Sequence, residues 1–469
     1  MNRAERVGLL GLGVMGRNLA LNLRDHGFDV LAFDPSPTAR AAAAALGFAL
    51  ADRPEDLAPQ LPPPRTLVLL VPAGAAVDEA LEDLAPHLRP GDVVLDGGNS
   101  HWRDTARRAR RLGERGIELV GLGVSGGEEG ARFGPSLMVG ASEPAWRLVR
   151  PLLEAIAARS EDGSPCCARL GPPPAGHLVK TVHNGIEYAL MELLAEAFDL
   201  ARRSRGSDHE TIAELFETWR RGLLDGFLLR AAVRVLRTPD PETRGPLLAS
   251  LRDVAEHKGT GSWAAIEALE RGVSAPTLHA AVDARLLSSA VELRRELSPL
   301  FPSPVARAET RRAELESALV AAAVAAFAQG FALLRAAFAA EGWPFAPLLV
   351  ARVWRAGSIL RGRLLEPIAR AFERDPDLPC LLLDDELLAS VLAGLSDLRA
   401  AVSEGAASGV PVPALAASLA YLDGLASARL PADLIQGMRD LFGGHGFERV
   451  DRPGRFHDLW RGRPSKGSP

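Results

Sequence analysis

One segment of the chain carries an unusual set of polar side chains at helical spacing. Lys180, His183, Asn184, Glu187 and Tyr188 stand at i, i+3, i+4, i+7 and i+8, so on a helix they share one face. Apolar residues fill the rest of the segment. Such a face is either a solvated surface with a Lys–Glu ion pair or the wall of a site. The mixture of acid, base and hydrogen-bonding groups favours a site.

The residue types on this face suit proton transfer. Lysine, unlike arginine, can lose its proton when it is partly desolvated, so Lys180 could serve as a general base. A glutamate in a closed site can hold a proton, so Glu187 could serve as a general acid. The two lie roughly 10 Å apart along a helix axis, and a small substrate could lie between them across His183 and Asn184. Gly185 is expected to let the substrate approach the helix closely.

Lysine is rare in this chain, which makes its place on that face worth explaining. Among 54 basic residues, the lysines are Lys180, Lys258 and Lys466, and the other 51 (54 − 3) are arginine. A lysine retained within a patterned segment suggests a role that arginine cannot fill.

A glycine-rich turn near the N-terminus indicates a second site. The segment Gly11–Gly16 (GLGVMG) follows an apolar run and opens an amphipathic helix. Its glycines permit a tight turn and the close approach of a pyrophosphate, and the helix N-terminus offers N–H donors to that anion. The turn therefore predicts a dinucleotide site.

The residue that ends the second predicted strand bears on the choice of dinucleotide. Asp34 lies 18 residues after Gly16 (34 − 16), where a carboxylate can accept hydrogen bonds from the adenosine ribose and would repel a 2′-phosphate. Its alternative role is that of a cap or turn residue before Pro35. The nearby cation that could bind a 2′-phosphate is Arg40. NAD is therefore favoured, and NADP is the alternative.

The elements that must position these groups follow from the hydrophobic pattern. Strands are predicted at 7–10, 30–33, 67–71, 93–95 and 119–121, and helices between them at 14–25, 38–46, 76–87 and 102–115. Alternation of this kind predicts an α/β Rossmann-like domain with a doubly wound parallel sheet. From His177 to about Met438 helical periodicity dominates. We expect a dinucleotide-binding domain at 1–176, an all-α substrate and dimerisation domain at 177–438, and an extended C-terminal tail at 439–469.

Bulk composition excludes several classes of protein. The 469 residues carry a net charge of −5 without basic blocks, which argues against a nucleic-acid binder. Three cysteines, including the neighbours Cys166 and Cys167, give neither a disulfide framework nor a metal-ligand spacing. The N-terminus lacks the pattern of a signal peptide. The apolar run 318–334 is mostly alanine and is expected to be a buried helix instead of a membrane span. A cytoplasmic protein that needs no membrane is expected.

Along its whole length the chain resembles the long type of 6-phosphogluconate dehydrogenase. The resemblance is carried by ordered motifs: Gly11–Gly16, Asp96-Gly-Gly-Asn-Ser100, Gly123–Arg132 with Gly134-Pro-Ser136, the Lys180 helix, Lys258-Gly-Thr-Gly261 with Trp263, Arg285–Ser289, Trp354-Arg-Ala-Gly357, Pro411-Val-Pro413 and Arg439–His445.

The resemblance implies oxidative decarboxylation of 6-phospho-D-gluconate to D-ribulose 5-phosphate and CO2, with reduction of NAD or NADP and without a metal. It implies that Lys180 takes the proton of the C3 hydroxyl as hydride leaves C3, and later returns a proton to the carbonyl oxygen. Glu187 matches the acid that protonates the carbon that becomes C1 of the product, as the enediol becomes a ketone. The reaction would serve the oxidative pentose phosphate pathway or gluconate catabolism.

The resemblance also assigns the binding residues. Those implied for the cofactor are Gly11, Leu12, Gly13, Val14, Met15, Gly16, Asp34, Pro35, Ser36, Val71, Pro72, Ala73 and Asn99. Those implied for the substrate are Asn99, the carboxylate loop Ser125, Gly126 and Gly127, the hydroxyl ligands His183 and Asn184, and the phosphate ligands Tyr188, Lys258, Thr260, Arg285, Arg439 and His445. Arg439 and His445 match a tail that completes the partner subunit's site, which implies a homodimer.

Departures from the family pattern bear on the cofactor. Asp34-Pro35-Ser36 stands where the family usually has asparagine, arginine and threonine, and Pro72 replaces a lysine. Both changes favour NAD. Leu190 and Glu192 replace the usual aspartate and glutamine, with no effect that the sequence reveals.

Two other functions compete with this interpretation. One is a β-hydroxyacid dehydrogenase that acts on an unphosphorylated acid, and the other is a cofactor-binding protein without catalysis. The predicted phosphate ligands argue against the first, and the intact pair of Lys180 and Glu187 argues against the second.

Overall fold

The computed structural model describes residues 5–256, 259–301, 313–457 and 460. The described residues up to Leu419 form one compact unit, and those from Ala420 onward form another. The domain boundary predicted at 176/177 falls inside the first unit. It lies close to the point where alternating strands and helices give way to helices alone, and as a domain boundary it stays a prediction.

The N-terminal part of the first unit alternates strands and helices. The strands are β1 (Arg6–Leu10), β2 (Asp29–Phe33), β3 (Ala49–Leu50), β4 (Thr66–Leu69), β5 (Val93–Asp96), β6 (Glu118–Ser125), β7 (Ser136–Gly140) and β8 (Cys167–Gly171). The helices are α1 (Val14–Asp25), α2 (Pro37–Ala45), α3 (Ala75–Leu84), α4 (Trp102–Gly113), α5 (Gly127–Phe133) and α6 (Glu143–Ile156). The predicted Rossmann-like fold class is confirmed.

The strands form one sheet in the order β3-β2-β1-β4-β5-β6-β7-β8. Neighbouring strands are parallel except β6 and β7, which pair antiparallel with Ser125 opposite Ser136. The sheet is therefore mixed, whereas the sequence predicted a parallel one. The physical reason is the short connection 126–135 between the two strands, since a parallel crossover needs a dozen or more residues.

Both faces of the sheet are covered by helices, because side chains alternate along each strand. Val7 and Leu9 join a core cluster with apolar residues of α1 and α6, whereas Leu10 joins a second cluster with residues of α3. The same alternation recurs in β2, β4, β5 and β6. The strand ends that carry the candidate site therefore rest on a core that is buried on both sides.

The chain then becomes helical. The helices are α7 (Pro173–Asp199), α8 (His209–Trp219), α9 (Phe227–Arg237), α10 (Thr260–Glu270), α11 (Pro276–Ser289), α12 (Val291–Leu297), α13 (Leu315–Ala340), α14 (Pro347–Trp354), α15 (Leu365–Arg374), α16 (Asp385–Ser408) and α17 (Pro413–Ala426). A π-helical turn, Leu200–Ser204, continues α7.

Glycines let α7 lie directly on the sheet. A Cβ on Gly121 would stand 2.2 Å from the Pro173 carbonyl oxygen, and one on Gly176 would stand 2.1 Å from the Gly121 carbonyl oxygen. A Cβ on Gly123 would come within 2.7 Å of the Lys180 Cβ. The backbone of α7 thus packs against β6 without intervening side chains, which buries the lysine face.

Helix α13 contains the apolar run of the sequence. It is the one described helix that is long and apolar enough to span a membrane, and 89% of its most apolar window is buried inside the protein. The prediction of a buried helix is confirmed.

The second unit contains the end of α17, the helix α18 (Ala432–Gly443), and the strands β9 (Phe447–Glu448) and β10 (Arg455–Phe456), which pair antiparallel. Arg439 therefore lies in a helix, whereas the sequence predicted that an extended tail begins there. Asp440 holds the following turn by accepting from the Gly446 N–H at 2.7 Å. Residues 461–469 of the predicted tail lie outside the described residues.

Candidate active site

The predicted polar face of α7 exists and is largely buried. Lys180 is 7% exposed, and its Nζ lies 3.3 Å from Nδ1 of His183. The same His183 nitrogen lies 3.3 Å from Oδ1 of Asn184 and 3.6 Å from Oε2 of Glu187. The imidazole therefore lies between the amine and the carboxylate, and both lie within reach of one small molecule.

Burial changes the acid–base properties of this face. Burial lowers the pKa of Lys180 to about 8, and the Glu187 carboxylate opposes that shift. Burial raises the pKa of Glu187, which Lys180 and Arg285 counteract. Burial and the charge of Lys180 hold the pKa of His183 well below its usual range, so this imidazole is neutral at pH 7. A lysine that releases its proton near neutral pH, beside a glutamate that retains one more readily than usual, can act as a base and an acid.

The end of β6 meets the lysine helix through a hydrogen bond. Ser125 Oγ lies 3.0 Å from Nε2 of His183 and accepts from the Ile359 N–H at 3.2 Å. The Trp354 ring packs edge-on against the imidazole, with the ring centroids 5.6 Å apart. Two distant parts of the chain, the end of β6 and the segment 354–359, therefore help to fix the orientation of His183.

The two glycines after Ser125 differ in what surrounds them. Gly126 has φ +126°, and a Cβ there would stand 2.3 Å from the Gly357 carbonyl oxygen. Gly127 has φ +61° and is exposed, with no atom within 4 Å of where its Cβ would be. Gly126 is thus required by packing, whereas Gly127 leaves open space beside Ser125 in which a ligand could lie.

Gly185 does not have the predicted role. Its Cβ would stand 2.6 Å from the Cβ of Ala264, so the missing side chain admits helix α10 instead of a substrate. Helix α10 also packs closely against Tyr188, because the Tyr188 ring leaves no room for a Cβ on Gly261. The Arg285 guanidinium lies over this ring, 3.5 Å from its centroid.

The glycine-rich turn has the geometry predicted for it. Gly11 has φ +104° and donates its N–H to the Phe33 carbonyl at 2.9 Å. A Cβ on Gly16 would collide with the Gly11 carbonyl oxygen, whereas one on Gly13 would have no atom within 4 Å. Gly11 and Gly16 are therefore needed for the turn, and Gly13 keeps open the space that a pyrophosphate would need.

Asp34 serves as an anchor for that turn. Its Oδ2 accepts from the Leu12 N–H at 2.6 Å, and its Oδ1 accepts from the Ser36 N–H at 2.8 Å. The Arg40 guanidinium donates to the Asp34 carbonyl oxygen at 2.6 Å and to that of Pro35 at 3.1 Å. A carboxylate and a guanidinium therefore lie together where the second ribose of a dinucleotide is expected.

The loop after β5 carries Asn99. Asp96 is fully buried and accepts from the Gly98 N–H at 3.1 Å and from the Ser100 hydroxyl at 2.6 Å. Asn99 itself is exposed at the tip of the loop. Its side chain is available at the same sheet edge as the glycine-rich turn, since β1 and β5 are parallel members of one sheet.

A histidine joins this loop to the lysine helix. Nε2 of His177 lies 3.1 Å from the Asp96 carbonyl oxygen, and Nδ1 lies 2.7 Å from the Thr105 hydroxyl. Because a carbonyl oxygen can only accept, Nε2 carries the proton and Nδ1 accepts from Thr105. Helix α7 and the Asn99 loop are thus fixed to each other by a buried contact.

The other predicted residues are distributed as follows. Pro72 and Ala73 are exposed in the loop after β4, and Thr260 is the first residue of α10. Lys258 lies outside the described residues. Arg439 and His445 are exposed in the second unit. In the part of the chain that the structure describes, no group of three His, Cys, Asp or Glu side chains could hold a metal ion.

Several contributors to the site were assigned no individual role in the sequence analysis, although Asp96 and Trp354 stand in motifs that carry the resemblance. Asp96 could have been found, since a carboxylate followed by two glycines and a serine is typical of a side chain that caps its own turn. Ile359 and Trp354 gave no such signal, because they reach Ser125 and His183 only through the folding of residues more than 150 positions away.

Fold and site together define a class of protein. A dinucleotide-binding sheet is followed by a helical domain whose first helix presents a buried lysine and glutamate, which is the arrangement of a nicotinamide-dependent dehydrogenase. A model of the NAD binding domain of 6-phosphogluconate dehydrogenase matches residues 6–171, and a model of the 6-phosphogluconate dehydrogenase C-terminal domain matches residues 176–460. The chain belongs to the 6-phosphogluconate dehydrogenase family.

Individual relatives match over nearly the whole chain. The decarboxylating 6-phosphogluconate dehydrogenase of Haemophilus influenzae is 41% identical over 468 residues, covering 97% of this chain and 96% of its own. That of Mus musculus is 43% identical over 467 residues, with the same coverage. The solved 6-phosphogluconate dehydrogenase of Plasmodium falciparum, studied with its cofactor NADP+ and its substrate 6-phosphogluconate, superposes with a TM-score of 0.93 at 35% identity. It covers 97% of this chain and 100% of its own.

Proposed function

We propose that this protein catalyses the oxidative decarboxylation of 6-phospho-D-gluconate to D-ribulose 5-phosphate and CO2. The observation that carries the proposal is the buried Lys180, held beside His183 and Glu187 on a helix packed against the strand ends. The names of the relatives support the substrate, and the intact lysine–glutamate pair supports the chemistry.

Lys180 is the proposed general base. With a pKa of about 8, a substantial fraction of its amine is neutral near physiological pH and can accept the proton of the C3 hydroxyl. Oxidation at C3 places a ketone β to the C1 carboxylate, so the electrons released when CO2 leaves can move onto the ketone oxygen. The protonated Lys180 then returns a proton to that oxygen, and the result is an enediol.

Glu187 is the proposed general acid. Burial raises its pKa, so it holds a proton more readily than an exposed glutamate. As the enediol becomes a ketone, Glu187 can deliver that proton to the former C2 of the substrate, which becomes C1 of ribulose 5-phosphate. Lys180 Nζ and Glu187 Oε2 approach the same nitrogen of His183, at 3.3 and 3.6 Å, so both side chains can reach neighbouring carbons of one small molecule. The remaining proposed substrate ligands keep their sequence assignments. Ser125, Gly126 and Gly127 bind the carboxylate, and His183 and Asn184 bind hydroxyl groups.

The proposed cofactor residues fit a dinucleotide. The open space at Gly13 and the exposed first turn of α1 suit a pyrophosphate, and the exposed Asn99 suits the nicotinamide end. The bound nicotinamide would supply the acceptor for the C3 hydride. We propose a preference for NAD, because the Asp34 carboxylate already fixes the turn and would repel a 2′-phosphate. The cofactor of the relative from Plasmodium falciparum is NADP+. The proposed preference for NAD therefore rests on the residues Asp34, Pro35 and Pro72 of this chain and not on the family.

Residues of two subunits would bind the phosphate group of the substrate. Tyr188, Lys258, Thr260 and Arg285 would bind it from one subunit, and Arg439 and His445 from its partner in a homodimer. Arg439 and His445 are exposed in their own unit, as residues that act on another chain must be before assembly. We further propose a cytoplasmic enzyme of the pentose phosphate pathway or of gluconate catabolism, with the domain limits predicted from the sequence.

A cofactor-reduction assay tests the proposed function. Purified protein should reduce NAD in the presence of 6-phosphogluconate and release one CO2 per cofactor reduced, with a lower kcat/KM for NADP. Gluconate, which lacks the phosphate, is the control and should turn over far more slowly. Absence of turnover with 6-phosphogluconate would contradict the proposal, and a higher kcat/KM with NADP would contradict the role of Asp34 alone.

A further inference from the structure

Helix α4 contains a buried arginine with no part in the sites described above. Arg108 is 2% exposed, although it belongs to a helix whose other arginines are mostly at the surface. Its guanidinium forms a two-pronged ion pair with Asp78 of α3, with Nε to Oδ1 and Nη2 to Oδ2 both at 2.9 Å. This pair satisfies one edge of the guanidinium and leaves further donors for other partners.

The remaining donors of Arg108 contact two loops. Nη2 donates to the Gly74 carbonyl oxygen at 2.9 Å, and Nη1 donates to the Ser100 hydroxyl oxygen at 3.3 Å. Gly74 ends the loop after β4, and Ser100 is the second-last residue of the loop after β5. Nη1 also lies 3.7 Å from the buried carboxylate of Asp96, which holds the Ser100 hydroxyl. One planar group therefore links the ends of the two loops.

These loops are the ones assigned to the cofactor. The first contains Val71, Pro72 and Ala73, and the second contains Asn99. They are neighbours at the sheet edge, since β4 and β5 pair in parallel. They also touch directly, because a Cβ on Gly98 would stand 3.0 Å from the Val71 carbonyl oxygen. A change in the spacing of the loops would therefore change the shape of the surface that they offer to the cofactor.

We propose that Arg108 is a positioning residue that fixes the spacing of these two loops and so sets cofactor affinity and the alignment of the nicotinamide. The proposal rests on the cofactor assignments of the proposed function. A lysine could preserve the charge opposite Asp78, but it lacks the rigid fork that reaches a carbonyl and a hydroxyl together. Cofactor binding should therefore depend on the guanidinium itself.

The adjacent Arg107 provides a matched control. It also forms an ion pair with Asp78, at 3.0 Å, but it is half exposed and contacts neither loop. Arg107→Lys removes a guanidinium from the same carboxylate without altering the loops. If Arg108 only stabilised the fold, its replacement would lower thermal stability and the amount of active enzyme. The KM of the cofactor would then stay unchanged.

The test compares Arg108→Lys, Arg107→Lys and the unaltered protein. Arg108→Lys should raise the KM for the cofactor about tenfold, whereas the Kd of 6-phosphogluconate, measured by calorimetry without cofactor, should stay within about twofold. Arg107→Lys should change neither. A cofactor KM within about twofold of the unaltered protein, whatever the change in Tm, would overturn the proposal.

Two further measurements keep the outcome decisive. Ser100→Ala removes one loop contact and leaves the Asp78 pair intact, so it should raise the cofactor KM in the same direction if Arg108→Lys does not fold. An unchanged KM in that variant would count against the proposal. Titration of NADH binding by fluorescence reports on the loops without turnover. An unaltered protein that binds NADH but does not oxidise 6-phosphogluconate would contradict the proposed function, and equal NADH affinity in Arg108→Lys would contradict the role of Arg108.

Discussion

At the scale of single residues, the proposed chemistry depends on the loss of water around Lys180. In water a lysine holds its proton at neutral pH, whereas burial against β6 lowers the pKa of this one to about 8. Arginine would keep its charge in the same place. This explains physically why one of three lysines in an arginine-rich chain stands on this helix.

The pH dependence of a Glu187→Gln variant tests the division of roles. In the unaltered protein, activity requires neutral Lys180 and protonated Glu187, so it should rise and then fall with pH. The variant should lose about a hundredfold in kcat, and its residual activity should rise with pH and then level. The midpoint should lie below pH 8, since the Glu187 carboxylate raises the pKa of Lys180.

Glu192→Gln is the control for this profile. Glu192 is a second glutamate of α7 whose pKa is raised by burial, but it has no assigned part in the reaction. Its variant should keep the bell-shaped profile of the unaltered protein. If the activity of Glu187→Gln still fell at high pH, the assignment of Glu187 as the general acid would be contradicted.

The sequence predicts which residues of α7 face the site, but not the contacts that distant segments make with them. Helical spacing was sufficient to place Lys180, His183 and Glu187 on one face, because that depends on local geometry. The contacts of Ser125 and Trp354 with His183 depend on packing between distant segments. The role of Gly185 was predicted wrongly for the same reason, since periodicity does not show which helix will pack on a glycine.

At the scale of elements, the site depends on how closely α7 approaches the sheet. Gly121, Gly123 and Gly176 remove the side chains that would hold the helix away. The strands and helices around them were predictable from their periodicity. The direction of β7 was not, because it follows from the short connection after β6 and not from the pattern within the strand.

A methyl group at Gly123 should displace helix α7, which carries the proposed catalytic residues. Its Cβ would lie 2.7 Å from the Lys180 Cβ and 2.8 Å from the Gly176 carbonyl oxygen, so Gly123→Ala should destabilise the protein by about 1–3 kcal/mol and lower kcat at least about tenfold. Gly113→Ala at the end of α4, where no atom lies within 4 Å, should leave kcat unchanged. Denaturant unfolding and steady-state assays measure both effects. Normal kcat in Gly123→Ala would show that the close approach is not required.

At the scale of the whole molecule, the proposed site needs two chains. The resemblance to the family implied that Arg439 and His445 reach the partner's site, and both are exposed in the second unit. Physical reasoning from a single sequence could not have reached this arrangement, because hydrophobic periodicity describes contacts within a chain. The two-chain site was inferred from the family resemblance, which rests on ordered motifs from Gly11 to His445.

Mixed dimers test this arrangement. Lys180→Arg chains and Arg439→Ala chains should each have little activity alone. In a mixed dimer one site combines the intact Lys180 with the intact Arg439 of the partner. Random co-assembly should therefore restore about a quarter of normal activity, because half of the dimers carry one such site. Co-expressed activity no higher than that of Arg439→Ala alone would mean that both residues act within one chain.

The central claim is that Lys180 is the base, and the Lys180→Arg variant tests it most directly. Turnover of 6-phosphogluconate should be measured together with the Kd of NADH and the Kd of 6-phosphogluconate. We predict that kcat falls by a factor of about 10²–10⁴ while both Kd values stay within about threefold of the unaltered protein, because arginine preserves charge but cannot accept the proton. Near-normal kcat in this variant would contradict the account.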